Sequence, residues 1–237
     1  METQTPQALR AQTRDDARSA LARAFDEAAT MPGALLPPEV LAELTEVADR
    51  IRAEVLAKED RAVSLGDDSG PEDYNVEHSI DATILGLLVG RKLVSQDALE
   101  ELATGLFLQD IGKLALPPRV VHKEGPLAPD EWELMTQHPL LGLQFLRDDA
   151  IPAGAKAVVR SHHERWDGTG YPSGLAGEEI SLYARIAAVA DAFDAVTSER
   201  YHAPAVSKHE GVEIIRTGAG NAFDPVVVEA FVEAVGP

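Results

Sequence analysis

Apolar residues recur along this chain with the period of a helix. Val40, Leu41, Leu44, Val47, Ile51 and Val55 form a stripe after Pro37-Pro38, the spacing of one buried helix face. A weaker pattern of the same kind runs from about Gln7 to Thr30. Helical patterns return over roughly 74–93, 96–109, 129–147, 152–163, 181–198, 207–217 and 225–235. Asp224-Pro225 opens the last of these, with Asp as cap and Pro at the first helical position. No segment alternates cleanly with period two, so the pattern predicts an all-α bundle. SLGDDSGPED (Ser64–Asp73) reads as a polar linker. It predicts a boundary between a helical appendage, residues 1–66, and a main domain, residues 67–237; the appendage is too small to hold a substantial core alone. Two irregular segments, Pro117–Pro129 and Trp166–Glu179, interrupt the bundle.

Certain polar residues fall on the apolar stripes themselves. Leu99, Leu102 and Leu106 lead, one turn on, to Asp110. Leu134 and Met135 lead to His138, then Leu141 and Phe145. Ala155, Val158 and Val159 lead to His162 and His163, and His78 precedes Ala82, Leu85 and Val89. Asp191 lies in ARIAAVADAFDAV, which is apolar almost all round. A buried, unpaired carboxylate or imidazole costs several kcal/mol, so such groups are paired or bind a metal. Taken singly, each is a hydrogen-bonded core residue more often than a ligand. Taken together, four His and two Asp on inward faces are how a bundle builds a metal site in its core. Only Lys113 and Arg185 are cations near these segments, so the carboxylates are expected to lack ion-pair partners.

Composition narrows the chemistry. The 237-residue chain has 21 Lys and Arg against 40 Asp and Glu, a formal charge of −19, and no Cys. Such a surface repels nucleic acid and anionic membranes, yet permits a small anion at a local positive site. Without thiolate, the set suits iron, manganese, zinc or nickel and not a calcium cage. Six candidate ligands exceed the needs of one ion with an open position. They suit two ions bridged by a carboxylate, an arrangement that serves phosphoryl transfer. Lys113, one turn beyond Asp110, is placed to hold a phosphate, or is a solvated lysine at a helix end. No apolar run spans a bilayer and the N-terminus has no signal-peptide core, so the expected location is cytoplasmic.

The motifs that carry these residues resemble a known family. HHERWDGTGYPSGLAGEEI (His162–Ile180) closely resembles the HHExxDGxGYPxGLxGxxI signature of HD-GYP domains, and QDIGK (Gln109–Lys113) resembles the HDIGK motif of the HD superfamily. GPLAPDEWELMTQHP, ARIAAVADAFDAVTSER and NAFDP are also similar to that family, so that the resemblance covers about residues 72–235. It implies an all-α bundle with a two- or three-metal centre, usually iron or manganese, that hydrolyses cyclic di-GMP to the linear dinucleotide or on to GMP. By position, the resemblance implies metal ligands at His78, Asp110, His138, His162, His163 and Asp191, with Asp110 and Lys113 as catalytic groups. It implies contacts to substrate from Lys113 and Arg200, a supporting acid at Asp194, and a pocket border at Gly170, Tyr171 and Pro172. It further implies docking of GGDEF-domain proteins at the Gly-Tyr-Pro loop.

Two positions depart from the pattern. Gln109 stands where the family has the histidine of its HD motif, and Tyr74 stands where some members have a Glu for a third metal. The expected centre therefore holds two ions, or one if the Gln109 amide, a neutral and weak donor, fails to hold its share. Three functions stay open at this point. The first is a cyclic di-GMP phosphodiesterase. The second is a non-catalytic module that binds cyclic di-GMP or a GGDEF partner, with the N-terminal helices as a homodimer element. The third is a phosphohydrolase acting on another nucleotide.

Overall fold

The structure is a computed structural model that describes residues 9–30, 35–58, 74–146, 151–199 and 205–236, the side chains of residues 29, 74 and 75 excepted. The predicted linker, the boundary near residue 66 and Arg200 lie outside the described residues. Among the described residues eleven α-helices follow in order: α1 Ala11–Thr30, α2 Pro38–Leu56, α3 Tyr74–Leu93, α4 Ala98–Leu108, α5 Pro118–Val121, α6 Pro129–Met135, α7 His138–Phe145, α8 Ala153–Ser161, α9 Leu182–Thr197, α10 Lys208–Thr217 and α11 Pro225–Val235. The described residues also hold two 3₁₀ turns, Ile111–Ala115 and Gly177–Glu179, and no β-strand. The architecture is all-α.

The centre is α3, buried along most of its length and packed against α4, α9, α11 and α2. Helix α8 lies across α4 and α9. The α2 stripe, Val40 to Val55, is buried whole, and it joins Leu21 of α1, Ile84 of α3, Leu102 of α4 and Phe193 of α9 in one apolar cluster. The Asp224-Pro225 signal acts as the sequence suggests: Asp224 accepts a hydrogen bond from the Val226 amide, and Pro225 opens α11.

The single helix expected over 129–147 is instead two, α6 and α7, parted at Thr136-Gln137. Pro139 is the cause. Its ring has no N–H and clashes with the carbonyl four residues back, which here belongs to Met135. The apolar period across 134–145 is therefore not one face: Leu134 is 38% exposed, while His138, Pro139, Gly142 and Phe145 are buried. Helix α4 also ends sooner than its stripe suggests, so Asp110 stands in the turn between α4 and the Ile111–Ala115 turn. Within the irregular segment Pro117–Pro129, Pro118 at a first helical position starts the short α5.

Candidate metal centre

Five elements carry the site. His78 lies on α3, Asp110 between α4 and the following 3₁₀ turn, His138 at the start of α7, His162 and His163 just past α8, and Asp191 on α9. One ligand atom from each of Asp110, His138, His162 and His163 lies within 4.8 Å of all the others. His78 and Asp191 adjoin this group: His78 Nε2 is 3.0 Å from Asp191 Oδ1 and 3.5 Å from Asp110 Oδ2. Asp110 thus turns one oxygen to each half of the constellation, Oδ1 toward His138 at 3.3 Å and Oδ2 toward His78.

A glycine brings the halves together. Gly112 packs so closely on α7 that a Cβ there would lie 1.9 Å from the His138 carbonyl oxygen. Any other residue would push the Asp110 turn away from His138.

In the first half, backbone carbonyls fix the imidazoles. The Met135 carbonyl, released from helix pairing by Pro139, faces His138 Nδ1 at 2.8 Å. His162 Nδ1 lies 3.1 Å from the Val158 carbonyl. Carbonyls only accept, so both Nδ1 atoms carry hydrogen and both Nε2 atoms present lone pairs. Those two Nε2 atoms are 3.2 Å apart, and the buried Asp110 Oδ1 beside them has no hydrogen-bond partner. Two lone pairs and a carboxylate oxygen facing one another need a cation between them. Protons do not serve, because burial pushes His138 down to about 3 and also lowers His162 and His163. The donor set fits a metal ion: neutral imidazoles with a carboxylate whose own pKa is held low, since the Lys113 ammonium beside it opposes the effect of its burial.

The second half is built differently. His78 Nδ1 is 2.6 Å from Asp194 Oδ2, a carboxylate that is itself only 1% exposed. Burial disfavours charge on His78, but its bonds to Asp191 and Asp194 win and push it up to about 10. Without metal, this imidazole carries the positive charge of its half. A metal ion fits there in place of the proton on Nε2, with Asp194 orienting the ring from behind. Gln109 belongs to this half, fully buried, with its amide nitrogen 3.4 Å from His78 Nε2 and its Oε1 unpartnered. An amide's O and N are assigned from their neighbours, and the flipped amide would aim Oε1 at the ion's position.

The expectation that the carboxylates lack ion-pair partners is corrected. Lys113 Nζ donates to Asp110 Oδ2 at 2.8 Å, so the carboxylate is already partly neutralised. Arg185 serves another role: it pairs with Asp224 at 2.6 Å and sits 5.7 Å above the Trp166 ring.

Above the constellation opens a cleft of about 860 Å³. His138, His162, His163 and Asp191 form its floor, with Lys113 at the side and Tyr171, Trp132 and Phe223 as apolar walls. The Tyr171 ring stacks on His163 at 4.8 Å, and burial raises its pKa well above the usual phenol value. Gly170 lines the cleft, Pro172 and Asp194 do not, and Asp194 lies beneath His78 instead.

Sequence reasoning passed over what holds this loop. Glu164 is 2% exposed and ligates nothing; its Oε1 accepts from the Ser173 amide at 2.7 Å and its Oε2 from the Leu175 amide at 3.2 Å. The NAFDP segment clasps the other side, with Ala222 and Asn221 carbonyls accepting from the Trp166 and Asp167 amides at 3.0 and 2.8 Å. The invitation to look was present in HHE: a Glu beside two inward His, in a loop rich in unpaired amides.

A helical bundle with a His/Asp cluster that could hold a metal ion, set below an open cleft, is the class that the fold and the site define. Comparison makes that specific: residues 74–227 match the family described as HD domain, and the chain belongs to that family. It is 38% identical over 197 residues to a cyclic di-GMP phosphodiesterase of Pseudomonas aeruginosa, covering 82% of this chain and 47% of that one. It is 36% identical over 198 residues to the cyclic di-GMP phosphodiesterase response regulator RpfG of Xanthomonas campestris, covering 82% and 51%. The chain thus spans about half the length of these curated relatives. Among solved structures, the HD-GYP protein Bd1817 of Bdellovibrio bacteriovorus superposes with a TM-score of 0.68 over 92% of this chain and 69% of that one, at 16% identity, a likeness of fold.

Proposed function

We propose that this chain is a metal-dependent phosphodiesterase that hydrolyses cyclic di-GMP, to the linear dinucleotide or to GMP. The observation that carries the reading is the unpartnered, buried Asp110 Oδ1 beside two imidazole lone pairs, whose rings line a cleft roomy enough for a nucleotide. Two divalent ions, iron or manganese, would be held by Asp110 with His138, His162 and His163 on one side and with His78 and Asp191 on the other. Bound there, they would supply an activated water and neutralise developing charge on a phosphate.

The chain's own groups do the rest. Lys113, which donates to Asp110 Oδ2, stands at the side of the cleft where its ammonium would hold a phosphate oxygen. Tyr171 stays protonated and offers a hydrogen bond inside the cleft, while its ring shields His163 from solvent. Asp194 fixes the His78 ring. Arg200 and the docking of GGDEF-domain proteins on the Gly-Tyr-Pro loop belong to the same reading, as does a cytoplasmic site of action. No helix among the described residues is long and apolar enough to cross a membrane. A homodimer through α1 and α2 would use their polar faces, because their apolar stripes are buried within the chain.

Gln109 favours a second reading, a module that binds cyclic di-GMP with one ion and does not turn it over. Metal analysis of anaerobically purified protein, followed by turnover assays with added manganese or ferrous ion, decides between them. Two ions per chain with turnover supports the enzyme. Binding of cyclic di-GMP without turnover under any metal sinks it.

A further inference from the structure

The N-terminal helix grips the metal centre from behind. On α3, Glu77 and Asp81 flank the ligand candidate His78, and both are buried, at 5% and 3% exposure. They lie one turn apart on a helix, where like charges repel. Arg14 of α1 lies between them: Nη1 donates to Glu77 Oε2 at 2.6 Å and Nη2 to Asp81 Oδ1 at 2.8 Å. Arg18, one turn further along α1, donates to Glu77 Oε1 at 2.7 Å. A guanidinium is a planar fork, and here its two prongs hold two carboxylates at a fixed separation. Lower on the same helix, Leu21 and Phe25 line a small cavity with Asp110 and Lys113, so α1 also backs the turn that carries the shared carboxylate.

We infer that Arg14 is a positioning residue for the His78 half of the metal centre. By clamping Glu77 and Asp81 it sets the rotation and height of the α3 turn from which His78 reaches Asp191 and Asp110. The His138, His162 and His163 half stands at the start of α7 and just past α8, whereas the Arg14 guanidinium bonds to Glu77 and Asp81 of α3. Its removal therefore acts unequally on the two halves. This inference rests on the reading of the site as a metal centre, and not on any substrate.

The test compares wild type with Arg14→Met, with Arg14→Lys, and with Arg14→Met combined with Glu77→Gln and Asp81→Asn. Arg23→Met serves as control, since Arg23 pairs with Glu43 of α2 and leaves α3 alone. Two readouts are taken on the full chain: manganese affinity by chelator competition, and the His78 side-chain signal in nitrogen-15 NMR of metal-free protein. Arg14→Met is expected to shift or broaden the His78 signal and to weaken the second manganese ion by about tenfold, as loss of a group supporting a ligand does. Arg14→Lys, which keeps charge without the fork, is expected to fall between and to stay folded if the Met variant does not. The triple variant should recover much of the affinity, because the repulsion is gone. The inference is overturned if Arg14 variants lose thermal stability while the His78 signal and second-ion affinity stay as in wild type. It is equally overturned if both ions weaken alike, or if Arg23→Met does the same. Wild type that takes up no manganese would remove the metal reading, while the metal-free His78 signal still decides the role of Arg14.

Discussion

Replacing Glu164 by Gln tests how the substrate-side loop is held. The side chain is buried, and each carboxylate oxygen accepts one backbone N–H, from Ser173 and from Leu175. Gln offers one oxygen and one NH₂ in the same space. One amide keeps its acceptor and the other meets a donor. The loss is one hydrogen bond to a charged acceptor, about 1.5–3 kcal/mol, and the remaining buried amide goes unsatisfied at about 1–3 kcal/mol. These overlap, so about 3 kcal/mol is expected, roughly a hundredfold in the equilibrium between closed and open loop. Global stability should change less, since loops open as local units. Hydrogen exchange resolves this: the Ser173 and Leu175 amides should exchange roughly a hundredfold faster in Glu164→Gln, with α3 and α4 amides near their wild-type rates. Exchange within about threefold of wild type at both amides would refute the assignment of Glu164 as the loop's anchor.

Other outcomes follow from the same geometry. Gln109→His should tighten the second metal ion by about tenfold to a hundredfold in chelator competition, because an imidazole replaces a weak amide donor; unchanged affinity would show that this position does not ligate. Metal-free protein should be most stable near pH 6.5–7. Neutral, buried His138, His162 and His163 have lowered pKa values, so the unfolded chain binds more protons below about 6.5 and stability falls with pH, by up to about 1.4 kcal/mol per unit for each. His78 is raised to about 10, so its contribution is complete below about 6.5 and is lost as pH climbs toward 10. Urea unfolding of stripped protein from pH 5 to 9 checks both limbs, and a flat profile from 5 to 6.5 contradicts the first. Gly112→Ala should cost about 3 kcal/mol and deplete bound metal, since its Cβ would collide with the His138 carbonyl; a stable variant with full metal content would count against that packing.

Helical period told much of the fold. Val40 to Val55 is buried whole as its stripe predicts, and α3 and α11 start at the residues their patterns mark. The period also singled out the polar residues that the structure brings to one place, because burial is what both signals report. It failed at 129–147, where Pro139 carried the opposite message and the apolar spacing outweighed it in the reading. Tertiary pairs were beyond reach. Nothing local ties Arg14 to Glu77, 63 residues on, or His78 to Asp194, 116 residues on. Arg185 shows the same limit: the sequence places it near the Asp191 segment, but its partner Asp224, on the segment that clasps the loop, lies 39 residues on.

The break at Pro139 has a consequence for how the centre lives with metals. The Met135 and Val158 carbonyls fix the His138 and His162 rings, so the backbone and not an ion sets the direction of their Nε2 atoms. An ion entering this half finds its ligands waiting, and one leaving takes no fold with it. Such a centre would exchange metal on the timescale of diffusion and ligand dissociation rather than of refolding. Which ion such a half would hold then follows the supply around it rather than the folding of the chain.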